Sequence, residues 1–549
     1  MKSVRYRLWL VLFLVLLLAG CMRPTPRRAR DNTTLLPSAA VAPPPKPPAH
    51  NNNEDVVLST NMLLALTAEL HEGEAEHMDQ ATLMALVQAG EMHEAFTEAF
   101  AAGDELFETQ FNALDGVGAN VGQGLRFTQV PRADLDGQDE WANHFPLRIT
   151  GPNAEACNQC HNSPVDDGAG TAIHNNTRDP GHTGIASQFI VRSAPHIFAM
   201  GALQVLAEEM TEELQAQQAV AKVRACVNGR PIDVDLTAKG ISFGTLQAIP
   251  SPGTPCTVEF DTRGVVGIDA DLVVRPFQWK GVIASIRAFN RDASHQELGM
   301  QSVEIVGDGI DGDGDGVVNE LTVGDQTALA LYVAAQPRPT TKIELADLGL
   351  IEPLSSAERA AILRGEQGFA QSGCTHCHTP QLTMTDPIFY EPSLNPAYRD
   401  VRFPAGQDPV ALGVDPAHAI ALDLTQDQPN NQVVIGNERY DLGAFPRNAD
   451  GSATVALYGD MKRHDMGPEL GETIDDEGIP ASVFLTENLW GVGATAPYLH
   501  DGRATTLPEA ILAHGGEGAA SRDAFVQLTQ AEQRDIIAFL ENLILFKAE

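Results

Sequence analysis

Two copies of one short cysteine motif constrain this chain more than any other feature. The sequence reads CNQCH at 157–161 and CTHCH at 374–378. A tetrahedral zinc site would need two cysteine pairs to converge, and a thioredoxin-like dithiol needs no trailing histidine. Covalent c-type haem explains the histidine, because two thioethers hold the porphyrin edge and the next residue offers its imidazole to the iron. The motifs therefore predict two c-type haems, attached through Cys157, Cys160, Cys374 and Cys377.

Each predicted haem iron needs a ligand on its second face. An internal repeat suggests where to look, since the two motifs lie 217 positions apart, and PFQWKG at 276–281 recurs as PYLHDG at 497–502, 221 positions later. His295 and His514 follow these elements and are 219 positions apart. We interpret the chain as two related domains, with His514 as the distal ligand of the second iron and His295 as that of the first.

Other side chains compete for the first iron. Met300 follows His295 closely, and His174 and His182 come soon after the first motif. The sequence leaves these alternatives to His295 open, because spacing alone does not select one ligand among neighbours.

The N-terminus predicts export. A basic start is followed by LWLVLFLVLLLAG, an apolar run too short for a lasting membrane span. It ends at Cys21 in a pattern that resembles the bacterial lipobox, which implies a signal peptide over 1–20 and a lipidated Cys21. An ordinary secretory signal with a chance cysteine is the alternative. Residues 21–55 are rich in Pro and Asn and predict a tether, so we expect a periplasmic protein anchored to a membrane, with the outer membrane favoured.

The formal net charge of −37 bears on the choice of partners. Such an acidic surface disfavours nucleic acid and anionic membranes and steers cationic partners. We therefore expect no nucleic-acid partner, and membrane attachment only through Cys21.

The rest of the chain divides into segments with different hydrophobic patterns. Apolar residues at helical spacing predict helices within 56–113, and alternating runs predict a β-rich insertion at about 219–275. Two cysteines, Cys226 and Cys256, flank part of this insertion and have no other assignment. In an oxidising compartment they predict a disulfide, with two buried free thiols as the alternative.

A family resemblance adds to these predictions. The segment TENLWGVGATAPYLHDGRATTLPEAILAHGGE resembles the C-terminal part of the bacterial di-haem cytochrome c peroxidase superfamily, and is closer still to its di-haem oxidoreductase branch. FNALDGVGANVG, VRPFQWKG, GDMKRHDMGPEL and SRDAFVQL also match, so the resemblance runs from about residue 110 to the end. It implies a mainly α fold with two cytochrome c-like haem domains, at 56–345 and 346–549, and a small β-rich insertion in the first.

The resemblance also implies roles for single residues. His161 and His378 match the proximal ligands. His514 stands where many relatives have Met, and a stronger donor there lowers the haem potential. Trp279 stands where an aromatic side chain could lie between the haems, although a packed core tryptophan explains it equally well.

An acidic loop, GDGIDGDGDGVVNE at 307–320, is a candidate calcium site. Asp311, Asp313 and Asp315 fit the first half of an EF-hand-type loop. Thr322 stands where the last acidic ligand is expected, and Glu320 comes early, so we expect a related loop assisted by Glu320, with Asp308 or Asn319 as helpers. Relatives in the superfamily hold calcium between their domains; a solvated acidic turn is the alternative.

Two haems in one exported chain suit a reaction in which electrons arrive singly and leave in pairs, such as peroxide reduction. We expect a peroxide such as hydrogen peroxide to be reduced at the N-terminal haem, with electrons from a redox donor protein or a quinol-linked cytochrome. Candidate proton carriers are Glu208, Glu209 and Glu297, although glutamates such as these are more often surface carboxylates than catalytic groups. The alternatives are a non-enzymatic bis-His electron carrier, and an oxidase of thiols or another donor.

Overall fold

Helices and very short strands alternate along the described chain. The computed structural model describes residues 75–122, 124–131, 146–251, 253 and 255–548. The predicted signal peptide, Cys21, the tether and the helical pattern at 56–70 lie outside these residues. All of the described residues belong to a single unit by their contacts. The domain boundary predicted at 345 stays a prediction.

Helices occur in both halves of the sequence. In chain order they are α1 (Gln80–Ala89), α2 (Met92–Glu108), α3 (Met200–Asn228), α4 (Ile286–Ala293), α5 (Val303–Val306), α6 (Val323–Ala334), α7 (Lys342–Asp347), α8 (Ser356–Gln371), α9 (Leu507–Ala513), α10 (Ala519–Gln527) and α11 (Gln530–Leu540).

Most strands are only two to five residues long. They are β1 (Asn176–Arg178), β2 (Ile190–Arg192), β3 (Ile232–Ala238), β4 (Ile241–Ser251), β5 (Thr257–Asp261), β6 (Thr340–Thr341), β7 (Leu382–Met384), β8 (Ile388–Glu391), β9 (Ile420–Asp423), β10 (Gln432–Ile435), β11 (Glu438–Asp441), β12 (Ala453–Val455), β13 (Arg463–Asp465), β14 (Val483–Leu485) and β15 (Leu543–Ile544).

The strands overturn the predicted fold class. They pair into one three-stranded and six two-stranded sheets among the described residues, and the fold is about 35% helix and 16% strand. The prediction of a mainly α chain made of two cytochrome c-like domains is therefore wrong. The physical reason is that long loops between helices bury their backbone polar groups by pairing with one another, as β8 does with β9 and β13 with β14.

A close helix crossing occurs in each half. On α2, a Cβ added at Gly103 would collide with the backbone carbonyl of Ala328 on α6. On α8, a Cβ added at Gly365 would collide with the backbone of Asp535 on α11. Only glycine allows the two backbones to approach this closely, so each glycine fixes the position of its helix pair.

Aromatic rings fill the space beside each crossing. Phe107, four residues after the glycine of α2, lies 5.2 Å from Tyr332 between ring centroids. Phe369, four residues after the glycine of α8, lies 5.4 Å from Phe539 in the same way. Residues four apart share one helix face, which places each aromatic ring next to the crossing.

A turn also recurs at the repeat predicted from sequence. Phe277 forms a backbone bridge with Ile283, and Tyr498 forms the same bridge with Ala504. The two bridges are 221 positions apart and each is followed by a helix, α4 in one case and α9 in the other. The local backbone therefore supports the repeated element at 276–281 and 497–502.

The repeat ends differently in the two halves. Helix α9 ends at His514, its C-cap. Helix α4 instead continues into a π-helical turn, Ser294–Leu298, that carries His295. On the 221-residue offset His514 corresponds to Ala293, so the two histidines are not at equivalent positions, contrary to our interpretation of the sequence repeat.

The β-rich insertion is present but shorter than predicted. Strands β3, β4 and β5 form an antiparallel sheet, whereas residues 219–228 belong to α3. Cys226 near the end of α3 is bonded to Cys256 just before β5, with their Cα atoms 6.0 Å apart. The predicted disulfide is confirmed, and it ties the sheet to the helix that precedes it.

The largest hydrophobic core draws on both sequence halves. It includes Leu106, Met210 and Tyr332 from the first half and Met384 and Leu422 from the second. A smaller core surrounds Phe369 and Phe539. No helix in the described ranges combines the length and apolarity that crossing a bilayer requires.

The crossing at Gly365 gives a stability prediction. We expect Gly365→Ala to destabilise the protein by about 1–3 kcal/mol, because the added methyl group must push α8 away from α11. Gly368→Ala is the matched control on the same helix, since its Cβ would meet only the flexible Ile536 side chain. Thermal unfolding of the two variants measures the difference, and equal melting temperatures would contradict the role assigned to Gly365.

Candidate functional site

The second cysteine motif is held on a short 3-10 turn, Cys374–His376, directly after α8. The amide of His378 donates to the carbonyl of Cys374 at 3.0 Å. Burial raises the pKa of the Cys374 thiol to about 11. The turn gathers both cysteine side chains and the histidine at one place, with the thiol neutral rather than a ready thiolate ligand.

His378 and His514 lie close to each other, as the sequence predicts. Their ring centroids are 6.4 Å apart. His378 donates from Nδ1 to the carbonyl of Tyr458 at 3.1 Å, and His514 from Nδ1 to that of Ala510 at 2.8 Å. Each Nε2 is thereby left as the nitrogen suited to bind a metal.

The spacing of these two rings fits a haem iron. Two imidazoles that bind one metal ion from opposite sides, each through a bond of about 2 Å as zinc forms with histidine nitrogen, must keep their ring centres several ångströms apart, and the separation of 6.4 Å meets this requirement. Burial also lowers the pKa of His378 to about 4 and lowers that of His514. Both rings are therefore neutral at pH 7, the form that binds iron.

His464 is a residue of this site that sequence reasoning missed. Its Nε2 lies 2.8 Å from a carboxylate oxygen of Asp460 and its Nδ1 2.9 Å from one of Glu517. Burial lowers the pKa of His464, but these carboxylates outweigh it and raise the pKa to about 11. The Sγ of Cys377 lies 3.9 Å from Nδ1, so an imidazolium stands beside the second motif.

The signal for His464 was its position in GDMKRHDMGPEL, a segment that resembles the family but whose sequence alone assigns it no role. Asp460, His464 and Cys377 also form a cluster of metal-ligating types. Because both ring nitrogens of His464 face carboxylates, the cluster is best explained as a charged network next to the second motif.

The first motif has the same local form. Cys157–Gln159 is a 3-10 turn, and the amide of His161 donates to the carbonyl of Cys157 at 3.3 Å. The ring of His161 lies 6.1 Å from that of Phe107, as His378 lies 6.2 Å from Phe369. Burial lowers the pKa of His161 to about 4, which keeps it neutral and able to bind iron.

A cavity of about 360 Å³ opens beside the first motif and is bordered by Cys160 and His174. Nδ1 of His174 accepts a hydrogen bond from the Thr171 amide at 3.0 Å. This contact fixes the proton of a neutral ring on Nε2. His174 therefore borders the first site, but in a tautomer that is unsuited to binding iron through Nε2.

His295 and Met300 do not line this cavity. Nε2 of His295 lies 3.0 Å from the carbonyl of Leu147, a contact that would have to break before it could bind iron. Met300 is fully buried in the largest core. His182 lies in a turn where its amide donates to Asp179. The assignment of His295 to the first iron stays a prediction.

The three candidate carboxylates lie in different surroundings. Glu297 lies next to the first motif, since its carbonyl accepts from the amide of Ala154 at 3.1 Å, three residues before Cys157. Burial, and then the charge of Glu297, raises the pKa of Cys160. Asn176 donates a hydrogen bond to Glu297, and burial raises the pKa of this carboxyl to about 8.

The other two carboxylates serve local contacts. Burial raises the pKa of Glu208 to about 7, and Gln204 donates to this side chain at 2.8 Å. Glu209 forms an ion pair with Lys239 at 2.6 Å and accepts from the amide of Thr385 at 2.7 Å. Among the described contacts, none joins either residue to a cysteine motif.

Trp279 joins the two sequence halves. Its Nε1 donates to the carbonyl of Ser193 at 2.9 Å. Its ring lies 6.4 Å from that of His500, which stacks on Phe484 at 4.2 Å. Trp279 thus contacts residues of both halves, while a place between two haems stays a prediction.

A second connection leads from one motif to the other. Buried His196 lies within electrostatic range of His161 and donates from Nε2 to the carbonyl of Trp490 at 3.0 Å. The neighbouring amide of Leu489 donates to the carbonyl of Leu457 at 3.0 Å, and the carbonyl of Tyr458 accepts from His378. Hydrogen bonds and short stretches of backbone thus connect the surroundings of both proximal histidines.

The predicted calcium loop brings its acidic side chains together. Carboxylate oxygens of Asp311, Asp313 and Asp315 lie within 4.8 Å of one another. Thr322 caps helix α6 through its hydroxyl and is therefore not a ligand. Asp308 accepts from Asn319 at 2.9 Å instead of facing the cluster.

Comparison with known proteins supports the resemblance. Residues 435–543 match the family described as "Di-haem oxidoreductase, putative peroxidase". The matched segment contains His464, Trp490 and His514 but begins after the second cysteine motif. The expected relationship to di-haem oxidoreductases is confirmed over this segment, and it supports a haem oxidoreductase.

Other comparisons add little. No curated protein matches the chain. A solved structure titled "Kuenenia stuttgartiensis Hydrazine Synthase Pressurized with 20 bar Xenon" is similar at 17% identity, covering 56% of this chain and 78% of that chain, with a TM-score of 0.24.

The geometry of the second site gives a spectroscopic prediction. We expect His514→Ala to convert one low-spin haem signal to high-spin in the oxidised protein, because one of two imidazole ligands is lost. His376→Ala is the matched control, since His376 lies in the same motif but its side chain is exposed. Electron paramagnetic resonance measures both variants, and an unchanged spectrum for His514→Ala would refute the assignment.

Proposed function

We propose that this protein is an exported di-haem c-type oxidoreductase that reduces a peroxide at its first cysteine motif. Both motifs would carry covalent haem, with His161 and His378 as proximal ligands. Haem iron supplies one-electron redox chemistry and, where an axial position is open, a place for an oxidant to bind. The donor would be a redox protein or a quinol-linked cytochrome, steered by the acidic surface when its own surface is cationic.

One observation carries this proposal, the difference between the two sites. The second site is closed by two imidazoles whose ring centroids are 6.4 Å apart. The first has His161, while Nε2 of His295, its predicted second ligand, lies 3.0 Å from the carbonyl of Leu147, so one iron position would stay open. A closed site is suited to receiving and holding an electron, and an open one to receiving a small oxidant.

The chain's own residues would supply what the chemistry needs besides haem. Reduction of hydrogen peroxide to two waters consumes two electrons and two protons. Glu297, buried next to the first motif with a pKa raised to about 8, is protonated at neutral pH and can donate a proton. The connection through His196 and Trp490 would couple the two sites.

The second candidate function is a bis-His electron carrier. The closed geometry at His378 and His514 favours it for the second site, and His295 would have to close the first. A high-spin signal in the half-reduced protein would support the peroxidase. Six-coordinate, low-spin spectra in every redox state would support the carrier.

The test of the proposal begins with the cofactor. Mass spectrometry of the mature protein is expected to show two covalent haem additions, and Cys374→Ala/Cys377→Ala is expected to lose one while retaining the other. Retention of both additions in that variant, or none in the parent protein, would overturn the proposal. Cys226→Ala/Cys256→Ala is the control, because those cysteines form the disulfide and its removal leaves both motifs intact.

Peroxide turnover gives a prediction for Glu297. We expect Glu297→Gln to lower the rate by about 10²–10⁴-fold, the range typical of general acid catalysis. Because the folded pKa of about 8 is raised above the ordinary value, the protonated acid is present below pH 8 and the parent rate is expected to fall as pH rises through it. Stopped-flow measurement at several pH values checks both statements.

Glu208→Gln is the matched control for this prediction. Glu208 is a buried carboxyl with its pKa raised to about 7 by burial, yet its described contacts do not reach either cysteine motif. Equal losses in Glu208→Gln and Glu297→Gln would contradict a specific role for Glu297.

A further inference from the structure

We propose that the acidic loop at 311–320 binds one calcium ion, and that the buried side chains of Glu320 and Gln301 complete the set of ligands. The three aspartates alone would not justify a site, since exposed acidic groups often cluster without an ion. The inference depends on the two buried residues next to them.

Glu320 and Gln301 are each 1% exposed. Oε1 of Glu320 and both amide atoms of Gln301 have no hydrogen-bond partner among the described residues. Buried polar atoms without partners are rare and costly. Such atoms are explained when a ligand lies between them.

These atoms face the acidic loop. Oε1 of Gln301 would lie 2.8 Å from a Cβ built on Gly312, the residue between the first two aspartates. Glu320 accepts from the amide of Gln301 through Oε2, and its carboxyl group lies within electrostatic range of Asp313 and Asp315. Oδ2 of Asp313 is also buried without a partner among the described residues.

The charges favour a divalent cation. Two cations face the four carboxylates of Asp311, Asp313, Asp315 and Glu320. Arg126 lies 3.4 Å from Asp315, and buried Arg148 interacts with Asp313 and Glu320. The sum of these six formal charges is −2, which one divalent ion neutralises.

The chemistry of the ligands selects calcium. Every candidate atom is a carboxylate or amide oxygen, and no histidine or cysteine belongs to this described cluster, which disfavours zinc and copper. Calcium accepts six to eight oxygens in flexible geometry, whereas magnesium needs a near-ideal octahedron. Glu320 thus replaces the missing acid of the EF-hand pattern, while Thr322 caps α6.

Calcium at this position would join separate chain segments near the first motif. A Cβ at Gly116 would collide with the Glu320 side chain, so FNALDGVGANVG packs directly against the loop. The amide of Gly118 donates to the carbonyl of Leu298 at 2.7 Å, next to Glu297. An ion bound at the loop would therefore stabilise the wall of the first site.

The proposal is tested by titrating the chelator-treated full protein with calcium chloride. Isothermal calorimetry is expected to show one saturable site with weaker binding of magnesium, and the melting temperature is expected to rise with calcium. Absence of saturable heat at millimolar calcium, together with an unchanged melting temperature, would overturn the proposal.

Glu320→Gln separates binding from folding. Glutamine keeps the shape and removes a buried charge, so the calcium-free variant should melt no lower than the parent protein while calcium affinity falls about tenfold or more. Asp450→Asn, in an exposed acidic turn, is the matched control and should bind like the parent. Equal affinities in Glu320→Gln and the parent would refute the inclusion of Glu320.

Discussion

The close approach of two helices beside each cysteine motif is the constraint on which both candidate haem sites depend. Gly103 lets α2 contact the backbone of α6, and Gly365 lets α8 contact that of α11. The phenylalanine four residues after each glycine lies beside the histidine of a cysteine motif. The ring centroids are 6.1 Å apart in the first half and 6.2 Å apart in the second. The same turn of helix thus fixes the crossing and the wall of the site, so a movement of either helix would displace the histidine's neighbour as well.

Both sites share this helix arrangement, but they differ in how the helix after the repeated turn ends. Helix α9 stops at His514 and presents the ring to His378. Helix α4 continues through a π-helical turn, which directs His295 to the Leu147 carbonyl and places Glu297 beside the first motif. Such π-turns often occur at functional sites. A difference of two residues therefore separates a motif whose histidine faces His514 from one with a buried acid beside it, and this asymmetry would suit the proposed division of labour between two haems.

The sequence predicted the parts that depend on local chemistry. The trailing histidines, the disulfide of Cys226 and Cys256 and the repeated turn each rest on a short pattern. The small sheets could not be predicted, because strands of two or three residues have no periodicity to detect. Phe107 and Phe369 were missed because a phenylalanine in a helix is usually explained by packing in the hydrophobic core. His464 was missed because its role depends on Asp460 and on Glu517, which is 53 residues away.

A chain of contacts connects the two sites, so a structural change at one site should affect the surroundings of the other. His196 approaches His161 and donates to the carbonyl of Trp490, and the backbone beside Trp490 leads through Leu457 to the carbonyl that orients His378. Gly491 has a positive φ of 80°, and a Cβ there would press on Leu545 and His196. The segment between the sites can therefore hold no side chain at this point. The side chains of His196 and His378 and the backbone between them connect the surroundings of His161 and His378, and a buried connection of this kind would keep the geometry between the two proposed haem sites constant.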